Sequence, residues 1–262
     1  MTAEPTLGLG LLSWGLHTEM DSIIAGYRER GLFDLVDQAL IWFQEIGEDE
    51  RAFAERHGLP CDGTPENYGI LGGFKNMAAA LSTDFVLLLE NDLPLIEDRD
   101  ETARQIAQAK ALLKNDDVKV VRLRHRAKPG QKFDTLAKYN RYHGPGAAPT
   151  LRRTLRPGKA KKLAGTAVYA EAAPAAKFPK LIEPAGDGAF LVSSECMNWT
   201  NQSIMIRRDF FLDTIIAEAE ANPSPRRVNG FPDIEKEWNS PKWRKSGWKI
   251  GVPKGLLTHE RP

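Results

Sequence analysis

Cysteine and long apolar runs are both scarce in this sequence of 262 residues. Its two cysteines, Cys61 and Cys196, form neither a CxxC pair nor a Cys/His ligand spacing, which argues against a zinc site and a disulfide framework. No stretch approaches the roughly 18 consecutive apolar residues of a membrane helix, and the first residues lack the basic start of a signal peptide. We therefore expect a cytoplasmic protein that folds around its own core, and peripheral contact with a membrane remains open.

Acidic residues are almost missing from one part of the chain, although the net charge is only +1. Residues 122–162 contain 13 Lys or Arg and a single acid, Asp134, whereas the remainder contains 23 basic and 34 acidic residues. Such a segment suits a polyanion such as phosphate, a nucleotide diphosphate, an anionic lipid or nucleic acid, and a solvated loop is the alternative. It shows no RNP, KH or helix-turn-helix pattern, so we do not expect nucleic acid as the partner.

Apolar and amphipathic segments alternate through the first half of the chain. Strands are predicted over 7–14, 35–43, 83–89 and 118–123, with helical segments between them, the first over 17–30. This alternation is typical of an α/β protein in which helices flank a mostly parallel sheet. Right-handed crossovers place the carboxyl ends of such strands, and with them a ligand crevice, along one edge.

The second half of the chain is less regular. Residues 127–188 are rich in Gly, Pro, Ala and basic residues, and they predict a long loop. Regular structure returns with a predicted strand over 199–206, a helix over 209–220 and a last strand over 248–252.

Two carboxylates follow the most apolar of the predicted strands. The run Phe85-Val-Leu-Leu-Leu-Glu-Asn-Asp92 brings Glu90 and Asp92 to the carboxyl end of the strand, and residues i and i+2 share a face of an extended chain. Both side chains can then reach one hard cation such as Mg²⁺ or Mn²⁺, which completes its shell with water and substrate phosphates. The alternative is a strand-end turn closed by Asx side-chain bonds.

A glycine-rich stretch leads into a predicted helix just before that strand. Gly69, Gly72 and Gly73 precede Lys75 and Asn76, and backbone N–H groups at the start of a helix favour an anion. The spacing matches neither GxGxxG nor the Walker P-loop, so an anion site and a simple turn both remain open.

Carboxylates and aromatic residues are concentrated near the C-terminus. Asp233, Glu235 and Glu237 adjoin Trp238, and a carboxylate in a partly dry setting has a raised pKa and can act as a general base. The alternative is an exposed helix start, where acids face the positive end of the dipole. His259 is either a metal ligand or a surface histidine.

In their order along the chain, these three motifs resemble the GT-A fold glycosyltransferases, most closely the family-2-like group. The resemblance covers most of the sequence and leaves the basic middle unmatched. It implies a Rossmann-like, mostly parallel central sheet flanked by helices, with a basic loop insertion. It also divides a single domain into a nucleotide-sugar-binding half (1–125), the insertion (126–190) and an acceptor and catalytic half (191–262).

The resemblance further implies a site for a nucleotide-diphospho-sugar of the UDP, GDP or dTDP type. The stretch from Asn67 to Asn76 is similar to the family's "N-x-G…R-N" segment, with Lys75 in the place of the arginine. Glu90-Asn91-Asp92 stands where the family carries its DxD motif, and the glutamate is a departure from that motif. The residues implied to contact the donor are Ser13, Trp14, Glu45, Asn67, Gly73, Lys75, Asn76, Glu90 and Asn91.

The same resemblance implies a metal and a base. Asp92 and His259 would hold Mn²⁺ or Mg²⁺. Asp233, with Glu235 as second choice, would deprotonate an acceptor hydroxyl in a single displacement that inverts the anomeric centre, as in glycan or polysaccharide biosynthesis. Trp199 and Trp238 are candidate platforms for a carbohydrate or other hydroxyl acceptor, since a ring face stacks on C–H groups, although tryptophans more often belong to the core.

Two other functions stay open at this point. A sugar-phosphate nucleotidyltransferase would also place a nucleotide at the ends of parallel strands, but the sequence lacks the glycine-rich, basic signature of that class after its first strand. A non-catalytic protein would use the basic segment 122–162 to hold a polyanion, without a metal and with strong salt dependence.

Overall fold

The computed structural model describes residues 3–16, 18–131, 133–223, 225, 227–238 and 240–260. His17, the first residue of a predicted helix, and the side chain of Glu237 lie outside this description. The strands are β1 (Leu7–Trp14), β2 (Gln38–Gln44), β3 (Cys61–Thr64), β4 (Phe85–Glu90), β5 (Val118–Arg122), β6 (Ile182–Pro184), β7 (Phe190–Ser193), β8 (Ile204–Arg207), β9 (Arg227–Val228), β10 (Phe231–Pro232) and β11 (Lys249–Val252). The helices are α1 (Glu19–Glu29), α2 (Glu48–Arg56), α3 (Gly69–Ala80), α4 (Arg99–Leu113), α5 (Asp134–His143), α6 (Ala147–Leu155), α7 (Pro157–Leu163), α8 (Pro174–Lys177), α9 (Arg208–Phe210), α10 (Ala217–Ala221), α11 (Ile234–Trp238) and α12 (Pro241–Lys245).

A mixed sheet runs through the described part of the chain in the order β3-β2-β1-β4-β8-β5-β11-β7-β6. Strands β3, β2, β1 and β4 are mutually parallel, and β11 is parallel to β5. Strand β8 runs antiparallel between β4 and β5, and β7 and β6 add an antiparallel edge. The predicted α/β fold, a mostly parallel sheet flanked by helices, is confirmed.

Strand β4 shows why the sheet is covered on both sides. Its side chains alternate between two buried apolar clusters, with Val86 and Leu88 in one and Leu87 and Leu89 in the other. The first cluster includes α3, and the second includes α1 and α4. A continuous apolar run is typical of a parallel strand buried on both faces.

Glycine in β1 lets a helix approach the sheet closely. A Cβ atom at Gly10 would come within 2.8 Å of the Met77 side chain of α3. A Cβ atom at Gly73 of α3 would in turn come within 2.8 Å of Leu12 in β1. Contacts this short exclude larger residues at both positions, so these glycines set the packing of α3 on β1.

The predicted loop over 127–188 is wrong, because this segment folds into α5, α6, α7, a 3₁₀ turn (Ala164–Tyr169), α8 and β6. The Gly and Pro residues that suggested a loop lie at helix boundaries: Gly144 ends α5, Gly146 precedes α6 with a φ of 99°, and Pro157 begins α7. At such positions Pro and Gly delimit helices rather than prevent them. Tyr139 and Leu163 are buried and attach these helices to the rest of the molecule.

Other boundaries also differ from the sequence prediction. The strand predicted over 199–206 begins only at Ile204, because Ser203 has a φ of 52° and Trp199 turns into the core. The helix predicted over 209–220 is present as a continuous helix over 208–221, whose middle, Phe211–Ile216, is π-helical. Within the described residues, none of the helices is both long and apolar enough to cross a membrane.

Candidate active site

The carboxyl end of β4 brings an aspartate and a histidine together. His259 follows β11, and its Nε2 atom donates a hydrogen bond of 3.0 Å to Oδ2 of Asp92. The backbone N–H of Glu260 donates to the Asp92 carbonyl at 3.2 Å, so both the main chain and the side chain of Asp92 contact this C-terminal segment. The hydrogen bond to Asp92 raises the pKa of His259, although burial acts in the opposite direction.

A tight loop fixes the position of His259. Gly130 has a φ of 77°, and a Cβ atom there would lie only 2.1 Å from the His259 carbonyl oxygen. The N–H of Gln131 donates to that same carbonyl at 2.8 Å, and Nδ1 of His259 donates to the Gln131 carbonyl at 3.3 Å. Residue 130 must therefore be glycine for the imidazole to be held from both sides.

The pair of Asp92 and His259 has the chemistry of a partial metal site. It offers one carboxylate oxygen and one imidazole nitrogen, and the described residues contain no cluster of three or more His, Cys, Asp or Glu that could hold a metal. A divalent cation bound by this pair would take its remaining ligands from water and from a bound molecule. Mg²⁺ and Mn²⁺ at nucleotide phosphates do so, and the donor set fits them.

Four of the predicted donor residues meet at the neighbouring strand ends. Asn91 Nδ2 donates to Ser13 Oγ at 2.9 Å, which joins the ends of β4 and β1. Ser13 Oγ donates onward to the carbonyl of Gly15 at 2.7 Å. Trp14 is 52% exposed, and its Nε1 donates to Glu45 Oε2 at 2.9 Å across the ends of β1 and β2. An exposed indole beside an ordered carboxylate is thus placed at the same edge as Asp92.

The glycine-rich stretch is helical from its first glycine onward. Helix α3 begins at Gly69, so Gly72 and Gly73 lie within the helix. Asn67 Oδ1 accepts a hydrogen bond of 2.7 Å from the Gly69 N–H, which fixes the turn into the helix. A residue missed by the sequence analysis, the buried Gln44 at the end of β2, accepts a second one of 2.9 Å from the N–H of Tyr68.

Lys75 does not join the other predicted donor residues. Its Nζ forms an ion pair of 2.6 Å with Glu220 on the 208–221 helix, and both side chains are close to half exposed. Asn76 follows it on α3 and is half-buried. Glu90 is the last residue of β4 and is also half-buried. In the structure Lys75 thus pairs with a surface glutamate, whereas the sequence predicted contact with the nucleotide donor.

A cavity of about 250 Å³ opens between β5, the 3₁₀ turn and α11. Its walls carry two arginines and a lysine together with hydroxyl, amide and carboxyl groups. The polar lining residues are Arg122, Arg124, Asp134, Thr135, Lys162, Thr166, Tyr169, Asn198, Thr200, Gln202 and Glu235, so three cations face two carboxylates. Such a cavity suits a small polar molecule with negative charge.

The two arginines are held rigidly. Arg122 is 9% exposed and donates from Nη2 to the carbonyl of Asn198, and burial lowers its pKa. Arg124 donates from Nε to the carbonyl of Pro129 at 2.6 Å, and its guanidinium lies 4.6 Å from the centre of the Phe133 ring. Burial also lowers the pKa of Arg124, whereas the carboxylates of Asp92 and Glu235 act in the opposite direction. Arg124 therefore lines the cavity and also interacts electrostatically with Asp92.

Of the two candidate bases, Glu235 lines the cavity and Asp233 does not. Glu235 Oε1 accepts a hydrogen bond of 2.6 Å from Thr200 Oγ1. Burial raises the pKa of Glu235, and the hydrogen bond from Thr200 opposes that rise. Asp233 Oδ1 instead accepts a hydrogen bond of 2.9 Å from the Glu235 N–H at the start of α11. The geometry thus favours Glu235 and reverses the order expected from the sequence.

The structure places Trp238, a candidate acceptor contact, in the core and not at the cavity. Trp238 is fully buried, and its Nε1 donates to the carbonyl of Ile215 at 2.8 Å. Its ring packs 6.2 Å from that of Trp243, so no face remains for a sugar. Trp199 belongs to the same aromatic cluster and is 2% exposed, yet it borders the cavity.

The sequence analysis missed the arginines of the cavity as site residues. Arg122 and Arg124 follow the apolar run of β5 at positions i and i+2, the same spacing that drew attention to Glu90 and Asp92. The spacing of these two arginines is visible in the sequence, where both also belong to the basic segment 122–162. Thr200, which orients Glu235, carries no comparable signal because it lies outside regular structure.

The sheet order and the acidic end of β4 define an α/β fold of the GT-A type, the fold of nucleotide-diphospho-sugar transferases. Glucosyl-3-phosphoglycerate synthase from Mycobacterium tuberculosis, in complex with Mn²⁺, uridine diphosphate and phosphoglyceric acid, is similar at a TM-score of 0.52 and 14% identity, over 98% of this chain and 72% of that chain. The complex of the same synthase with Mn²⁺, UDP-glucose and phosphoglyceric acid is similar at a TM-score of 0.50 and 14% identity, over 98% of this chain and 72% of that chain. A crystal structure described as that of a mycobacterial protein is similar at a TM-score of 0.51 and 15% identity, over 98% of this chain and 68% of that chain.

No protein-family model matches the sequence, and no curated protein is significantly similar to it. The comparison with solved structures therefore shows the fold alone.

Proposed function

We propose that this protein is a metal-dependent glycosyltransferase that moves a sugar from a nucleoside-diphosphate donor to a hydroxyl of a small anionic acceptor. The observation that carries the proposal is the pair of Asp92 and His259 at the carboxyl end of β4, beside a cavity with Arg122 and Glu235 in its wall. The two features together provide places for a metal-bound diphosphate and for a second, negatively charged substrate.

The donor side of the proposal rests on the strand ends. Asp92 and His259 would hold Mn²⁺ or Mg²⁺, and when bound the cation would stabilise negative charge on the diphosphate leaving group. Ser13, Trp14 and Glu45 lie at the same edge and would contact the nucleoside. The similar synthase from M. tuberculosis was solved with UDP and UDP-glucose, so a uridine nucleotide is the first donor to test.

The acceptor side rests on the charge of the cavity. Arg122 is buried with its guanidinium in the cavity wall, and Lys162 adds a second cation at the wall. Buried guanidinium groups bind phosphate and carboxylate by paired hydrogen bonds. The M. tuberculosis synthase was solved with phosphoglyceric acid and with glycerol 3-phosphate, which are alcohols of this charge class. Among the carbohydrate or other hydroxyl acceptors expected from the sequence, we therefore favour a phosphorylated alcohol.

Glu235 is the proposed acid–base group. It reaches the cavity, and burial moves its pKa toward the range in which a carboxylate exchanges protons near neutral pH. The Thr200 hydroxyl donates a hydrogen bond of 2.6 Å to Oε1 and orients the carboxylate, which would accept the proton of the acceptor hydroxyl. Inversion at the anomeric carbon stays a prediction, and the anomeric proton of the product, observed by NMR during turnover, decides it.

Calorimetric titration of UDP, GDP and dTDP tests the donor class, in Mn²⁺ and again after EDTA. We expect one nucleotide to bind only with metal. Release of that nucleotide from its glucose ester is then measured with glycerol 3-phosphate or phosphoglyceric acid as acceptor. Absence of nucleotide binding under every metal condition would contradict the proposal, and hydrolysis without transfer to either acceptor would contradict its acceptor class.

A further inference from the structure

Helix α6 and the start of α7 form a surface that the proposed reaction does not use, whereas Lys162 near the end of α7 borders the cavity. Helix α6 has no buried side chain, and its Leu151 and Leu155 are 60% and 70% exposed. Leucines at positions i and i+4 lie on one face of a helix, so they form an apolar stripe open to solvent. In a folded protein, exposed apolar side chains at this spacing are typical of a contact surface.

Positive charge surrounds this stripe. Residues 135–170 contain eight Lys or Arg and neither Asp nor Glu. Arg152, Arg156 and Lys159 are exposed next to the leucines. In the described part of the chain, an acidic partner is found for only one of the eight cations, Lys161, which pairs with Glu195. The surface is therefore strongly cationic as well as partly apolar.

The fold holds this surface in place. Arg153 Nη1 on α6 donates to the carbonyl of Tyr142 in α5 at 2.6 Å, and Ala160 and Leu163 of α7 are buried. Tyr142 of α5 and Ala160 and Leu163 of α7 form a small apolar cluster. Helix α6 thus presents its leucines outward from a supported position.

We infer that α6 and α7 dock the protein onto the surface of an anionic lipid bilayer. A helix that lies in a membrane interface combines an apolar face with flanking Lys and Arg, and each part contributes to binding. Leu151 and Leu155 would enter the boundary between headgroups and acyl chains, while Arg156 and Lys159 would meet lipid phosphates. The inference is independent of the proposed reaction, because none of these four residues lines the cavity.

Nucleic acid fits this surface less well. Proteins that bind single strands stack bases on exposed aromatic rings, but the aromatic residues of α5, Tyr139 and Tyr142, are buried. Phosphate contacts alone would leave the two exposed leucines without a role. A lipid bilayer is the polyanion that uses both the charge and the apolar stripe.

Flotation of the full-length protein with vesicles tests the inference. Vesicles of phosphatidylcholine alone are compared with vesicles containing about one third phosphatidylglycerol, at about 0.05 M and about 0.5 M NaCl. We expect binding to the anionic vesicles only, and markedly less of it at high salt. Failure of the wild-type protein to float with anionic vesicles at low salt would overturn the inference.

Two double variants separate the apolar and charged parts of the surface. Leu151→Ser/Leu155→Ser and Arg156→Gln/Lys159→Gln should each weaken binding by about tenfold or more, because two leucines or two cations leave the interface. The control Arg51→Gln/Arg56→Gln removes the same charge from exposed positions of α2 and should bind like the wild type. Circular dichroism verifies that each variant is folded.

One pattern of results would redirect the inference to another partner. If the charge variant loses vesicle binding and the leucine variant does not, the surface binds polyanions by charge alone and the lipid inference is overturned. Competition by an RNA oligonucleotide would then identify nucleic acid as the better ligand. Nucleotide binding at the strand ends should be unchanged in all variants, so failure of the proposed reaction and failure of this inference remain distinguishable.

Discussion

His259 and Asp92 lie 167 positions apart in the sequence, yet His259 Nε2 donates a hydrogen bond of 3.0 Å to Asp92 Oδ2. The contact closes the sheet edge at which β4 ends, because the segment after β11 returns to that strand. Leu257 pairs there with both Leu95 and Arg124 through isolated β-bridges. The proposed metal ligands therefore come from two distant segments, which the folded sheet brings together.

Asp92→Asn should abolish metal-dependent nucleotide binding. Asparagine keeps the size of the side chain but removes the negative charge that attracts a divalent cation. We expect Mn²⁺ affinity to fall by at least about 100-fold, since loss of even an outer-shell partner costs about 10- to 100-fold. Titration of Mn²⁺ in the presence of UDP measures this loss.

Glu90→Gln is the matched control, because Glu90 ends β4 two residues before Asp92. It removes one carboxylate charge at the same sheet edge but leaves Asp92 and His259 in place. We expect nucleotide binding to weaken moderately and to keep its dependence on metal. Loss of metal dependence in Glu90→Gln, with retention in Asp92→Asn, would show that Glu90 is the ligand instead.

Lys162→Gln should weaken binding of an anionic acceptor without affecting the donor. Lys162 borders the cavity but is exposed to solvent, so its loss should cost roughly 0.5–1 kcal/mol, which is about two- to fivefold in acceptor KM. Lys159→Gln on the same helix, outside the cavity, should leave the acceptor KM unchanged. Equal effects of the two substitutions would indicate a long-range charge effect and not a contact.

The Glu235→Gln variant should have a low turnover rate but remain folded. Loss of a general base lowers kcat by roughly 10²- to 10⁴-fold, whereas Asp233→Asn should have a smaller effect because Asp233 does not reach the cavity. Steady-state rates of nucleotide release measure both. A wild-type rate in Glu235→Gln would remove this residue from the chemistry.

The stability of the same variant follows from the raised pKa of Glu235. An acid whose pKa is higher in the folded state prefers to be protonated there, so wild-type stability decreases as pH rises above the unfolded-state pKa. Glutamine is neutral at every pH and retains an oxygen for the Thr200 hydroxyl. Glu235→Gln should therefore have a higher Tm than the wild type at pH 7, with the difference vanishing toward pH 4.

The sequence predicted the parallel part of the sheet better than the site. Apolar runs such as the one ending at Leu89 identify strands buried on both faces, because each residue of such a strand faces a core. Strand β3, with the sequence Cys-Asp-Gly-Thr, has no such run and pairs with β2 at the edge of the sheet. Short edge strands of this kind carry no periodic signal.

The cavity was harder to predict because its residues come from different segments. Arg122 ends β5, Thr200 lies in an irregular segment, and Glu235 belongs to α11. Their meeting depends on the antiparallel insertion of β8, which no local pattern reveals. The sequence suggested Trp238 as an acceptor platform, but its side chain is buried. The presence of a tryptophan in a sequence indicates neither burial nor exposure.

Trp238→Ala should destabilise the protein rather than impair acceptor binding. It removes a fully buried side chain and its hydrogen bond to the Ile215 carbonyl. Large-to-small substitutions of this kind cost about 3–5 kcal/mol. Urea unfolding measures the loss. A variant as stable as the wild type with a raised acceptor KM would restore Trp238 as an acceptor contact.

His143 should make the protein less stable below neutral pH. Burial lowers its pKa, and the cations of Arg153 and Lys177 act in the same direction, against the hydrogen bond to the Ala160 carbonyl and the charge of Glu171. The folded protein therefore keeps this imidazole neutral where the unfolded chain protonates it. Its contribution to stability is complete above the unfolded-state pKa of about 6.5 and is lost progressively below that pH.

His143→Gln tests this dependence, because glutamine can still donate to the Ala160 carbonyl but does not titrate. We expect the free energy of unfolding, measured with urea between about pH 7.5 and about pH 5.5, to vary less with pH in the variant. Burial also lowers the pKa of His125, so His125→Gln should remove a further part of the slope. A pH dependence that is unchanged in His143→Gln would show that the pKa of His143 does not differ between the folded and unfolded states.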